Sequence, residues 1–196
     1  MEEIEKEKET NSSEFETKSF EYKDLDDINF PVYKYKRSEL IEIVITVFDK
    51  FGFIEMLQIE KSEFKDFIEE IAKCYRRSPY HNFSHACNLF LVTRWIVSRI
   101  DKGTLLTEID VLGMFLAAIA HDLNHPGMNN HYEVKTKSPI SLVYGDKSTL
   151  EKYHCSLFIN LLENEEGKFN ILRNLQKEVS TLYEEFHINE FFLLEI

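Results

Sequence analysis

From Val111 to Ala120 the chain runs VLGMFLAAIA without a polar side chain, then turns abruptly to His121-Asp122. A helix that is apolar almost all round has to be enclosed on every side by other elements. Ten residues are far too few to cross a bilayer, which takes roughly 20, so the segment is expected at the centre of a globular domain. Thr107-Glu108-Ile109-Asp110 resembles a capping box, with Asp in the place usually held by Glu or Gln. The helix is expected to run to about Asp122, with Pro126-Gly127 stopping it. Two residues with metal-binding side chains therefore close the most buried element of the chain.

The segments around it read as further helices. Ser38 is placed as N-cap of Glu39–Lys50, whose Leu40, Ile41, Val44, Val47 and Phe48 form one stripe, and Gly52 ends that helix. Ser62 caps a second helix in which Phe64, Phe67, Ile68, Ile71 and Tyr75 recur at helical spacing. A third runs from about Ser84 to Ile100 with Leu89, Phe90, Thr93 and Ile96 on one face. Leu150–Leu162 and Ser180–Leu194 follow, with Tyr144-Gly145-Asp146 as an intervening turn. No strand-like alternation persists anywhere, so the fold class is all-α, a compact helical bundle, and its apolar stripes read as core.

Charge divides the chain. Residues 1–27 carry eleven acids and four lysines, so they supply −7 of the net −12. Such a glycine-free, acidic start reads as a solvated, disordered tail, leaving 28–196 as the folded domain. No basic patch appears, which disfavours binding to a nucleic-acid backbone. The three cysteines, Cys74, Cys87 and Cys155, are odd in number and widely spaced, without a disulfide framework. The acidic N-terminus has no signal-peptide pattern. A reducing cytoplasmic setting, with no membrane partner, is the expectation.

Six of the seven histidines lie between His81 and His154, four of them in the motifs His81-Asn82-Phe83-Ser84-His85 and His121-Asp122-Leu123-Asn124-His125-Pro126-Gly127. Histidine is the commonest ligand for borderline metals, and carboxylate joins it where oxygen must be polarised. His81 and His85 share a face if the helix extends through both, without having to do the same job. The reading is that His85, His121 and Asp122 bind one metal, with Asp122 free to bridge to a second. Two divalent ions about 3.5–4 Å apart neutralise charge on a phosphoryl group during in-line attack. His81, left unligated, is the general acid for the leaving oxygen, and Glu151 is the carboxylate that would orient and charge it. This set of groups suits a phosphodiester. His131 and His187 read as surface or satisfied core residues, and Tyr80 and Phe83 as either packing or pocket lining.

These residues resemble the signature of the class I cyclic nucleotide phosphodiesterases, and the likeness runs from about Phe30 to the C-terminus. The family carries Tyr-His-Asn-x-x-His, His-Asp-x-Asp-His-Pro-Gly-x-x-Asn, a Tyr-Asn-Asp turn and Leu-Glu-Asn-His-His. The chain has Tyr80-His81-Asn82-Phe83-Ser84-His85, His121-Asp122-Leu123-Asn124-His125-Pro126-Gly127-Met128-Asn129-Asn130, Tyr144-Gly145-Asp146 and Leu150-Glu151-Lys152-Tyr153-His154. The resemblance implies an all-helical catalytic domain of the HD type. It implies zinc and magnesium, with manganese as an option at the second site, and hydrolysis of cAMP or cGMP to the 5′-monophosphate in signal transduction. By position it makes His81 the proton donor, touching substrate together with Asp122. It makes His85, His121 and Asp122 the metal ligands, with His125 and Glu151 around the metal-bound water and the acid. Phe83, Asn129-Asn130 and His154-Cys155 look closest to the high-affinity cGMP-specific branch.

Departures from the pattern set further expectations. Asn124 replaces an acid, Lys152 and Tyr153 replace Asn-His, and Gly145 replaces an Asn. Measured against the family, the chain resembles the N-terminal half of a catalytic domain shortened at its C-terminus. Glu195 stands near the place of the last metal-binding Asp, without the expected Ala-Thr-Asp-Met. Two other readings are therefore carried, a catalytically inactive fragment or metal-binding partner module, and a different HD-type nucleotide phosphohydrolase. Oligomeric state is left open.

Overall fold

The computed structural model describes residues 20–100, 105–163 and 167–175. Two short 3₁₀ turns, Tyr22–Asp26 and Val32–Lys34, lead into α1 (Arg37–Lys50), α2 (Phe53–Met56), α3 (Lys61–Cys74) and α4 (Phe83–Val97). The order continues with α5 (Glu108–Ala120), α6 (Asn130–Thr136), α7 (Pro139–Tyr144) and α8 (Thr149–Leu162). The expected all-α bundle is what forms. The expected helix Ser180–Leu194, with His187 and Glu195, lies outside the described residues.

Burial explains the order of packing. In α5 only Glu108 and Asp110 are exposed, whereas Phe115 to Ala120 are all buried, so the helix drives its C-terminal end inward. Thr107 caps it as expected, its hydroxyl accepting from Asp110 N at 3.1 Å while the Asp110 carboxylate accepts from Thr107 N at 2.7 Å. Phe115 meets Phe90 of α4 edge to face at 5.1 Å, and Phe90 stacks on Phe48 of α1 at 5.5 Å. Phe48 reaches Phe64 of α3 at 4.8 Å. One aromatic cluster thus ties four helices, each pair contributing about 0.5–1.5 kcal/mol beyond the area it buries.

Several helix starts differ from the sequence reading. Helix α1 begins at Arg37, one residue before Ser38, because the Glu39 carboxylate reaches back to Lys36 N at 2.6 Å. Helix α3 likewise begins at Lys61, with Ser62 inside its first turn. Gly52 does end α1, at φ +78°, a conformation that costs glycine nothing. The stop after α5 comes at Ala120, well before Pro126-Gly127, because Asn124 takes a left-handed conformation and donates its N–H to Cys74 O at 3.0 Å.

The tail boundary at residue 27 also moves. Leu25 is 1% exposed in the core, and the buried Arg94 of α4 donates to its carbonyl at 2.7 Å. Arg94 also pairs with Asp26 at 2.7 Å and lies 5.0 Å from the Tyr22 ring centroid. A buried guanidinium needs these partners, so residues 22–26 are a strap on the domain despite their acidic composition. Residues 1–19 lie outside the described residues.

Candidate metal centre and active site

The carbonyls at the end of α5 cannot find partners within the helix, and here side chains serve two of them. His121 Nδ1 donates to Ala118 O at 2.9 Å, and the Tyr75 hydroxyl donates to Ile119 O at 3.0 Å. A carbonyl only accepts, so the His121 proton sits on Nδ1 and the Nε2 lone pair is presented to the cleft. Tyr75 also receives Asp122 N–H at 3.4 Å, which holds Asp122 in the turn that follows the helix.

Three ligand atoms then converge. His121 Nε2 lies 3.3 Å from His85 Nε2, and Asp122 Oδ2 lies 3.4 Å from the first and 3.6 Å from the second. Tetrahedral zinc with ligands about 2.0–2.1 Å away separates its neighbouring ligand atoms by about 3.3–3.4 Å. The triangle has the edge length of one face of such a tetrahedron. Burial holds His85 below the usual imidazole range, with the nearby His121 adding to the effect, so His85 is a neutral imidazole at neutral pH, the form a metal ligand needs. For Asp122, burial opposes ionisation, but its contacts with His121 and His81 overcome it and keep the carboxyl well below the usual range.

His81 is placed differently from expectation. Asn82 is the N-cap of α4, its side chain accepting from His85 N at 3.0 Å, so His81 precedes the helix and shares no helical face with His85. The two rings are nearly perpendicular, at 87°. His81 Nδ1 donates instead to Asp122 Oδ2 at 2.7 Å, leaving Nε2 as its other nitrogen. The carboxylate partner of His81 is thus Asp122 and not the expected Glu151. Glu151 accepts from Asn130 Nδ2 at 3.1 and 2.9 Å, while Asn130 Oδ1 receives Leu150 N–H at 2.8 Å. Asn130 therefore fixes the start of α8 and neutralises the hydrogen-bonding demand of the carboxylate that His81 was expected to use.

Beside Asp122, the rings of His81 and His125 stack at 3.6 Å, and His125 faces His154 at 5.3 Å. His154 Nδ1 donates to Leu123 O at 2.6 Å, so its Nε2 carries a lone pair; that atom is buried, without a hydrogen-bond partner, and 3.9 Å from Asp122 Oδ1. His125 has the opposite tautomer, since its Nδ1 accepts Gly127 N–H at 3.0 Å. Gly127 makes that contact at φ +86°, where a side chain would be strained. Burial pushes His125 down to about 4, helped by the charges of its histidine neighbours, and burial lowers His154 as well. Asp122 thus offers one oxygen to the His85–His121 side and the other to the His154 side. Asp122, His125 and His154 form a second group of close donor atoms.

These residues line a cleft of about 890 Å³. The rest of its lining includes an apolar part, with Leu89 and Ile96 of α4 and Met114 and Ala117 of α5. The α4 stripe read as core therefore divides: Phe90 is buried, whereas Ile96 is 44% exposed and faces the cleft. Tyr80 lies over the His85 ring at 4.4 Å, while Phe83 is buried against Tyr75. His131 is exposed, the surface one of the two placements read for it. The sequence presented Tyr75 only as part of an apolar stripe, and Asn82 and Asn130 only as motif positions, without the bonds they make here. The Asn-x-x pattern before α4 was the available signal for Asn82.

Comparison with known proteins converges on one family. The profile described as 3′5′-cyclic nucleotide phosphodiesterase matches residues 80–189. The cGMP-specific 3′,5′-cGMP phosphodiesterase 3 of Dictyostelium discoideum is 32% identical over 74% of this chain and 31% of its own length. The 3′,5′-cyclic-AMP phosphodiesterase 4 of the same organism is 36% identical over 71% of this chain and 14% of its own. The crystal structure of the phosphodiesterase domain of the RhoPDE fusion protein from Salpingoeca rosetta superposes with a TM-score of 0.75 at 25% identity. The overlay covers 84% of this chain and 50% of that one. The chain thus spans a third or less of these two curated relatives and half of the solved domain.

Proposed function

The chain belongs to the 3′,5′-cyclic nucleotide phosphodiesterase family, and on that premise we propose that its cleft carries the metal-dependent hydrolysis of cAMP or cGMP to the 5′-monophosphate, in signal transduction. The observation that carries the reading is the triangle of His85 Nε2, His121 Nε2 and Asp122 Oδ2, with edges of 3.3 to 3.6 Å. These three residues would hold zinc, and Asp122 Oδ1 would face a second ion, magnesium or manganese. Bound divalent ions would supply Lewis-acid polarisation of the phosphoryl group and activation of water.

The protein's own groups do the rest. Asp122 orients His81 through the 2.7 Å bond to Nδ1, so Nε2 is the atom that delivers a proton to the leaving oxygen. His125, stacked on His81, shields that ring from water and offers an Nε2–H on the same side of the cleft. Glu151 and Asn130 shape the edge of the site by fixing α8. The apolar wall of Leu89, Ile96 and Met114 suits the flat face of a base.

The test is hydrolysis of cAMP and cGMP by the purified chain, and by a longer form of the protein if one exists, with zinc and magnesium present. The His81→Ala variant is expected to lose about 10²–10⁴-fold in rate while retaining bound metal. Undiminished hydrolysis by that variant would overturn the assignment of the acid. Cleavage of nucleoside monophosphates with cyclic nucleotides left intact would overturn the substrate class.

A further inference from the structure

No basic patch is read from the linear sequence, yet the fold brings three arginines from two separate segments to one hollow. Arg37 opens α1, and Arg76 and Arg77 follow the end of α3. Together with Ser78, Asn82 and Ser84 they line a cavity of about 390 Å³ to which no carboxylate contributes. In a chain with 35 acidic and 23 basic residues, an acid-free hollow with three guanidinium groups stands apart from the average surface.

Of the other arginines in the fold, Arg94 pairs with Asp26 and Arg173 with Glu63, while Arg99 lies over the Trp95 ring. Arg37 and Arg77 have no salt bridge among the described residues. Arg76 donates its Nε to Asn124 Oδ1 at 2.5 Å, which uses one of five guanidinium donors. Mutual repulsion of three cations is relieved by an anion, and the overall negative charge is screened beyond about 8–10 Å at moderate salt. Local charge therefore decides what the hollow attracts.

We infer that this hollow, on the loop that carries His81, binds a phosphate monoester. The planar guanidinium fork matches phosphate oxygens two at a time. Ser78 and Ser84 add neutral hydroxyl donors that a bare cationic surface lacks. The volume admits a phosphate with part of the molecule that bears it, whether a soluble metabolite or a lipid headgroup. The site is separate from the histidine cleft and stands whether or not that cleft hydrolyses cyclic nucleotides.

The test is calorimetric titration of the full chain, kept metal-free with chelator, against inorganic phosphate and 5′-AMP at low salt. Saturable binding is expected, weakened at least about tenfold in the Arg37→Ala, Arg77→Ala double variant and unchanged in His85→Ala. Both arginines are exposed, so the double variant is expected to fold, and circular dichroism verifies this. Sedimentation with phosphatidylinositol 4-phosphate vesicles, against phosphatidylcholine alone, identifies the source. Arginine-dependent recruitment to the first assigns a lipid headgroup, and arginine-dependent binding of the soluble probes alone assigns a free monoester. Absence of saturable binding to every probe, or equal binding by the double variant, overturns the inference.

Discussion

Asp122 serves several imidazoles with one carboxylate, and Tyr75 fixes where that carboxylate stands. The tyrosine hydroxyl is the only side-chain group that joins the end of α5 to the Asp122 amide among the described residues, through Ile119 O at 3.0 Å and Asp122 N at 3.4 Å. Tyr75→Phe leaves a buried carbonyl without this donor and is expected to cost about 1–3 kcal/mol of stability. Partners that orient ligands also tune affinity, so zinc binding is expected to weaken on the order of tenfold or more. A competing chromophoric chelator measures it; lower stability with unchanged zinc affinity would reduce Tyr75 to a packing residue. The sequence exposed the histidines and Asp122 because such residue types are informative at short spacing. It concealed Tyr75, whose spacing matched an apolar stripe and whose partner lies 44 residues away. His81 was legible as a site residue but not in its placement, because Asn82 starts α4 one residue after it.

At the scale of elements, α5 was the most legible part of the chain, since its apolar run leaves no alternative to burial. Its half-buried Gly113 is the weak point. A Cβ added there meets nothing within 4 Å, and alanine is worth about 0.8–1.0 kcal/mol more than glycine in a helix interior. Gly113→Ala is expected to raise the melting temperature by about 2–4 °C without altering zinc affinity, as calorimetry and chelator competition would show. No change in melting temperature would mean that the substitution shifts α5 against its neighbours. The links between elements were less legible. Helices α6 and α7 are short and start from Asn129 and Ser138, whose side chains accept from Tyr132 N at 2.9 Å and Ser141 N at 3.2 Å. Neither start has an apolar period long enough to reveal it. Two departures from the family pattern meet in space, because Asn124 Nδ2 donates to the Tyr153 hydroxyl at 2.5 Å. Asn124 points to Arg76 and Tyr153, so its missing charge falls on a bridge between α8 and the loop after α3.

For the whole molecule, the cost of gathering neutral histidines around one carboxylate should be measurable as pH-dependent stability. His85, His125 and His154 all titrate below the ordinary imidazole value in the fold, His125 at about 4. The unfolded chain therefore binds more protons between pH 6.5 and about 4, and the metal-free protein loses stability as pH falls through that window. His125 alone accounts for roughly 3 kcal/mol if its full shift is expressed. Asp122 acts lower: its folded value is depressed, so its contribution is present above the usual carboxylate value and lost on further acidification. At the proposed His85–His121–Asp122 site zinc is expected to stabilise the fold, because ligation needs neutral imidazoles and the fold already keeps His85 neutral. At a free zinc concentration about 100 times Kd the gain is about 2.7 kcal/mol, or roughly 5–10 °C in a chain of this size. Thermal scans at pH 7.5 with zinc and with chelator are expected to differ by that amount. At pH 5 the difference should shrink as protons compete with the metal. His85→Ala should abolish the zinc-dependent shift at both pH values while leaving the chelator scan near that of the parent. An equal shift in His85→Ala would place the metal elsewhere and remove the His85–His121–Asp122 triangle as its site.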